Sequence, residues 1–433
     1  MRNFIEEKEN NMKVEPILKT IENKKYIDEI PIESIIKQYG SPIMIFNGTR
    51  LKTLSSYLDN ILKKYYSNME IHYAIKACYT PKVIEIFLNN NIQLEVMSEF
   101  EYKLAKKIGA NSEKLILNGP GKTEKLLRMA IQDKIEYINV DSEEELDEIS
   151  KIAKEYNKVV KIGLRIQPDV PQDSFLKRGE KLGVDEKTGQ AERIIRQAID
   201  NPHVNLCGIQ FHSFINQKTE VDIINALNYV IEFIIRMKEK YNFRPEYVDI
   251  GGGFATIENW SENGIEILAR EVSKTIKRLT WNPKLIIEPG RLLVSDCAIV
   301  ISKIIRKKMN GEARWIIVNG NTNMLIPLAS ADFKVENAKC DEEDLVEYNV
   351  GDCLCSASGT LERKVLLSNN LKSGDYIIIK NAGAYTVNLS EPFAEPIMPI
   401  LLTSGNKIKK IHKGVSIDEM IDYFFRKQSK VYQ

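Results

Sequence analysis

The sequence predicts an α/β protein in two parts, a closed (β/α)8 TIM barrel and a C-terminal antiparallel β domain. Three observations carry that prediction. Eight short apolar runs alternate with helix-period segments between residues 71 and 290, the pattern of parallel strands joined by helical crossovers. Nearly every run stops in a polar or glycine-rich cluster, as barrel strands do where they form an active face. Beyond residue 295 the long helical segments disappear, and short β-rich runs are divided by Gly, Asn and Asp. The barrel is placed at 46–292, with 1–45 and 293–433 assigned to the β-rich domain.

In chain order the barrel strands are read from "IHYAIKA", "QLEVMS", "KLILNGP", "EYINVDS", "VVKIGLRIQP", "LCGIQFHS", "EYVDIGGG" and "KLIIEPG". The segments between them include "SEEELDEISKIAKEY" and "DIINALNYVIEFIIRMKEKY". These repeat apolar residues at i, i+3, i+4 and i+7, the stripe of a helix packed on a sheet. A doubly wound open sheet fits the same alternation, but eight units over about 220 residues match a closed barrel. The strand ends are Lys76, Ser98, Asn118–Gly119, Asp141, Gln167, His212, Gly251–Gly253 and Glu288. Further on, "CAIVISKIIRKK", "ARWIIVNGN", "VGDCLC", "RKVLLS" and "GDYIIIKNAGAY" read as strands of the second domain.

Composition excludes several classes. The 61 basic residues balance 60 acidic ones, so no basic stripe points to nucleic acid. No run reaches the roughly 18 apolar residues of a membrane helix. The opening "MRNFIEEKENNMKVEP" has acids where a signal peptide needs an apolar core, so a cytoplasmic location is expected. Six cysteines in 433 residues do not make a disulfide scaffold. "CLC" lacks the spacer of a zinc knuckle and has no paired histidines with it, so no metal is expected.

Four features carry chemistry. "HYAIKACY" sets Lys76 in a near-strand run that would bury a normally wet amine, and burial lowers such a pKa. "DIGGGF" follows a strand, and its glycines Gly251, Gly252 and Gly253 let backbone approach an anion closely. "IIEPGR" presents Glu288 and Arg291 across the turn at Gly290, and a guanidinium beside the glycines suits a phosphate. His212 ends "IQFH", where it either faces a ligand or fills the barrel. Singly, each has a structural alternative: a snorkelling lysine, a sharp turn, a surface ion pair. Together, a lysine, an anion clamp and a carboxylate on one barrel face fit pyridoxal 5′-phosphate, which needs an anchoring amine, phosphate donors and a ring-nitrogen partner.

With those residues in place, the chain resembles the fold-type III pyridoxal-phosphate decarboxylases, the alanine-racemase-like group containing diaminopimelate and ornithine decarboxylases. The matching stretches are "YAIKA", "VMSEFEYKLA", "ILNGPGK", "INVDSEEEL", "LRIQPDV", "KLGV", "DIGGGF", "EPGR" and "NAGAYT", in family order. The resemblance implies a homodimer with shared active sites. It implies Lys76 as the anchoring lysine and His212 as the ring-stacking histidine. Gly251, Gly252, Gly253, Arg291 and Tyr385 fall on phosphate positions, and Glu288 on the ring-nitrogen partner.

The substrate-facing motifs depart from that family. Its C-E-S-G-D or C-D-x-x-D stretch, contributed across the dimer, becomes "CLCSASGTL" at 353–361, and both acids are missing. Cys355 takes the proton-donor place with one extra residue; an ungapped alignment puts Ser356 there. The usual H-I-G-S-Q becomes "HSFINQ", where Ser213 stands in as a phosphate contact. "TNMLIPLAS" at 322–330 lacks the arginine of diaminopimelate decarboxylases, and the substrate loop survives only as "RGEKLGV". Cofactor contacts are kept while grips for a distal ammonium or second carboxylate are lost. The reading is decarboxylation of a less charged or carrier-linked amino acid. The alternatives are diaminopimelate or ornithine/lysine decarboxylation proper, a racemase, or a non-catalytic regulator.

Overall fold

The computed structural model describes residues 14–169, 181–326, 331–341, 343–356 and 358–425. Eight parallel strands form the barrel: β1 (Met69–Ala74), β2 (Gln93–Val96), β3 (Leu115–Leu117), β4 (Tyr137–Val140), β5 (Val160–Gln167), β6 (Val204–Gln210), β7 (Tyr247–Asp249) and β8 (Lys284–Ile287). Each pairs with the next, and β8 returns to β1 with Leu285 opposite Met69 and Ile287 opposite Ile71. That last ladder closes the sheet and excludes the open alternative.

The helices start where local chemistry sets them. Ser98 Oγ accepts from Glu101 N at 3.2 Å while Glu101 Oε2 accepts from Met97 N at 2.7 Å, which starts the helix Glu99–Ile108. Ser142 and Glu145 repeat the device for Glu143–Glu155. These are reciprocal capping boxes that satisfy the free N–H groups of the first turn. Ser98, a strand end in the sequence, is therefore a helix cap. At the other end of Glu99–Ile108, Gly109 adopts φ of 102°, a left-handed cap that a side chain would disfavour.

The second domain is mostly antiparallel, built on the long strand Ala298–Asn310. Two pairs are parallel: Ala313–Val318 with Leu345–Gly351, and Ile43–Asn47 with Ile400–Ser404. Ile43–Asn47 also pairs antiparallel with Ala298–Asn310, so a segment preceding the barrel lies inside this sheet. It arrives from far along the sequence, and no hairpin constrains its direction. A helix at Ile417–Phe425, absent from the sequence reading, follows the last strand. At the junction Arg50 Nε donates to Asp296 O at 3.0 Å and its guanidinium pairs with the Asp296 carboxylate, both residues being buried.

The barrel interior is what positions the site. Apolar filling there is a small cluster of Ile116, Tyr137, Cys207, Tyr247 and Ile286. Toward the C-terminal ends of the strands the buried side chains turn polar: Glu95, Asn118, Asn139, Arg165, Gln210, Asp249 and Glu288. Lone polar groups in a core are costly, so this density needs mutual hydrogen bonds or a polar ligand.

Candidate active site

Lys76 does not lie in a strand. β1 ends at Ala74, and Ile75–Ala77 form a single 3-10 turn. The second domain grips that turn through backbone and side chain. Tyr385 N donates to Ala77 O at 2.7 Å, and Asn388 Nδ2 donates to Lys76 O at 2.8 Å. Asn388 Oδ1 in turn accepts from Tyr79 N at 3.0 Å. These bonds replace the ladder that a longer strand would have made and direct the lysine over the barrel mouth.

Lys76 Nζ donates to Glu95 Oε2 at 2.5 Å. Burial works against its charge, but Glu95, Glu288 and Tyr385 outweigh it and push the amine above the ordinary lysine value. The expectation that burial lowers it is thus corrected: the acids facing the amine decide the sign. Glu95, on β2, is fully buried, and the sequence reading passed over it. Its signal was a glutamate inside the strand run "QLEV".

Glu288 follows β8 and is buried against Asp249 at the end of β7. Burial raises both carboxyls, with Glu288 adding to the rise of Asp249 and Glu95 to that of Glu288. Asn118 Nδ2 donates to Glu288 Oε1 at 2.5 Å. His212 follows β6, and Gly252 N donates to its Nδ1 at 3.0 Å, which fixes the neutral tautomer with the proton on Nε2. Burial and the nearby charges of Arg165 and Lys76 lower His212 to about 3.

The three glycines serve a different purpose from simple anion donation. Gly251 N donates to Asp249 Oδ1 at 2.8 Å and Gly252 N to His212, so both are committed within the protein. A Cβ on Gly252 would lie 2.2 Å from Glu288 O, and one on Gly253 2.2 Å from Phe214 O. The glycines let three strand ends meet. Gly290 does the same for Lys76 and Tyr385: its Cβ would fall 2.9 Å from that of Ala77 and 3.6 Å from Tyr385 Oη. Arg291 stacks on the Tyr385 ring at 5.1 Å, and Ser213 is buried beside His212. The structure therefore gathers Lys76, His212, Ser213, Gly251–Gly253, Glu288, Gly290, Arg291 and Tyr385 at one end of the barrel.

Cys355 stands elsewhere, exposed on the loop between Leu345–Gly351 and Thr360–Ser368. Among the described residues no hydrogen bond joins it to Lys76 or its neighbours. Ala357 of the same loop, 327–330 of "TNMLIPLAS" and 178–180 of "RGEKLGV" lie outside the described residues. A group of Glu70, His72 and Glu136 meets at the opposite end of the barrel, where Lys284 bridges the two carboxylates at 3.1 and 3.2 Å.

The profile of the pyridoxal-dependent decarboxylases, pyridoxal binding domain, matches residues 52–295. The chain belongs to this family. Diaminopimelate decarboxylase of Aquifex aeolicus is 25% identical over 423 residues, covering 94% of this chain and 97% of the relative. That of Archaeoglobus fulgidus is 27% identical over 410 residues, covering 92% and 96%. Crystal structures share the fold. Diaminopimelate decarboxylase from M. jannaschii has a TM-score of 0.88 at 23% identity, covering 94% of this chain and 97% of that one. Lysine/ornithine decarboxylase from Vibrio vulnificus has 0.72 at 19%, covering 84% and 94%.

The protein is thus a divergent pyridoxal-phosphate-dependent amino-acid decarboxylase, a carbon–carbon lyase. Its barrel mouth fits the cofactor. Glu95 Oε1, both side-chain polar atoms of Gln210 and Asp249 Oδ2 are buried there without a hydrogen-bond partner, beside an amine and a guanidinium. A flat ligand with a phosphate, a ring nitrogen and oxygen substituents supplies the complementary groups. No helix of the described residues is long and apolar enough to cross a membrane.

Proposed function

We propose that this decarboxylase acts on an amino acid whose distal end carries no free charge, or is attached to a carrier, and that the gathered residues divide the work as follows. Lys76 Nζ anchors the cofactor. Glu288 would pair with the ring nitrogen and keep a proton there, and neutral His212 would pack on the ring. Arg291 and Tyr385, with Ser213, Gly290 and the Gly253 end of the glycine turn, would hold the phosphate, while Gly251 and Gly252 shape that turn. When bound, pyridoxal 5′-phosphate supplies an electron sink for the pair left at Cα as its bond to the carboxylate breaks and CO2 departs. Cys355 of a partner subunit returns a proton to Cα, which makes the working form a homodimer.

The observation that carries the substrate reading is the state of Asp352. It is the lone acid in the stretch 352–361, and a distal ammonium would need such a carboxylate. Both of its oxygens are already engaged: Oδ2 accepts from Thr322 N at 2.9 Å and Thr322 Oγ1 at 2.8 Å, and Oδ1 from Leu354 N at 3.0 Å. Gly359 packs so closely that its Cβ would sit 2.2 Å from Oδ1. Asp352 is buried and its bonds shape the loop, which argues against its serving a substrate.

A panel of free and acyl-capped amino acids, assayed in deuterium oxide with product masses, tests this. The expected result is an amine with one solvent deuteron at Cα from an uncharged or capped substrate, and little turnover of meso-diaminopimelate. Turnover of meso-diaminopimelate near ~10 s⁻¹ would overturn the reading in favour of diaminopimelate itself, the substrate in the relatives' names. Return of labelled amino acid instead of amine would indicate a racemase.

A further inference from the structure

Two glycines inside barrel strands have no part in the site described above. A glycine in a strand interior weakens it and marks a close approach. Gly208 on β6 and Gly163 on β5 both face Tyr247: a Cβ on Gly208 would lie 2.0 Å from Tyr247 Cζ, and one on Gly163 2.1 Å from its Oη. The two strands have given up side chains to admit one phenol into the barrel, where it packs on the Tyr137 ring at 4.2 Å.

The hydroxyl begins a chain of hydrogen bonds that runs toward Glu288. Tyr247 Oη donates to Asn139 Oδ1 at 2.6 Å. Asn139 Nδ2 donates to Asn118 Oδ1 at 2.8 Å, and Asn118 Nδ2 donates to Glu288 Oε1 at 2.5 Å. All four residues are buried. Each amide uses its oxygen to receive and its nitrogen to give, so every dipole points toward the Glu288 carboxylate and reinforces the next. Lys122 Nζ, donating to Asn139 O at 2.8 Å, pins the middle of the chain.

We propose that Tyr247 is a positioning residue: through Asn139 and Asn118 it orients the Glu288 carboxylate and keeps it ionised toward the cofactor ring. This rests on the reading of Glu288 as the ring-nitrogen partner. A carboxylate with fewer donors takes a proton more readily, and the ring nitrogen opposite it then loses one. Tyr247 matters to the reaction although it touches neither cofactor nor substrate.

The test is the ¹⁵N resonance of ring-labelled cofactor bound to the holoenzyme, followed against pH in Tyr247→Phe, Asn118→Ala, the double variant and Glu288→Gln. Tyr247→Phe should move the loss of the ring proton down by about one pH unit, the worth of one hydrogen bond, with kcat lowered up to tenfold and KM unchanged. Asn118→Ala should do at least as much, and the double variant no more than Asn118→Ala alone. Asn118→Ala breaks the chain at its other end, so the test stands even if Tyr247→Phe fails to fold. Strictly additive effects, or a wild-type titration in Tyr247→Phe while Glu288→Gln loses the protonated signal, would overturn the chain alone. A protonated signal surviving in Glu288→Gln would overturn the Glu288 reading itself.

Discussion

Glu95→Gln isolates the charge that faces Lys76. The variant keeps the size of the side chain and an acceptor oxygen but removes the anion 2.5 Å from the amine. Breaking a buried pair costs about 3–5 kcal/mol. The Lys76 side chain is 35% exposed, so solvent screens part of this and about half is the better figure. That half, ~2–3 kcal/mol, corresponds to about two pKa units, or about a hundredfold more neutral amine at a given pH. Only the neutral amine attacks an aldehyde. The assay follows the visible absorbance as pyridoxal phosphate attaches to apoenzyme across a pH series. The half-maximal rate should move to lower pH by about two units, so that removing an active-site acid speeds cofactor attachment near neutrality. An unmoved midpoint, or one displaced upward, would refute the claim that Glu95 sets the charge of Lys76.

Gly208→Ala drives a methyl to 2.0 Å from a ring held between β4 and β6, so overpacking should cost ~3 kcal/mol or more; a wild-type urea midpoint would show that the ring lies elsewhere. Glu101 is raised to about 7 by burial first and by Glu95 second. A carboxyl raised in the folded state binds its proton more tightly there, so apoenzyme stability should fall as pH rises from the unfolded value of 4.5 through 7. The slope amounts to at most about 3 kcal/mol, and Glu101→Gln, which can still accept from Met97 N, should flatten it. Parallel melting-temperature profiles for the two proteins would contradict this.

Much of the architecture was legible because barrel strands and their helices have different periods. The eight apolar runs and the break in texture near residue 295 are local signals. Lys76, His212, Gly251–Gly253, Glu288 and Arg291 could be singled out because they stand at the ends of those runs. Less visible were side chains whose importance depends on what lies across the barrel. Glu95 looks like an ordinary strand residue until Lys76 is folded over it, and Asn139 is one asparagine among many until Tyr247 reaches it. Asn388 and Tyr385 come from more than 300 residues along the chain to grip the lysine turn.

The sequence by itself determined which backbone elements form, their order and the identity of the groups available at the strand ends, since caps, glycines and hydrophobic periods act over a few residues. Only the tertiary structure decided the charge of Lys76, the engagement of Asp352 and the direction of the chain from Tyr247 to Glu288. Those depend on burial and on distances of about 3 Å between side chains far apart in sequence, and a linear pattern carries neither.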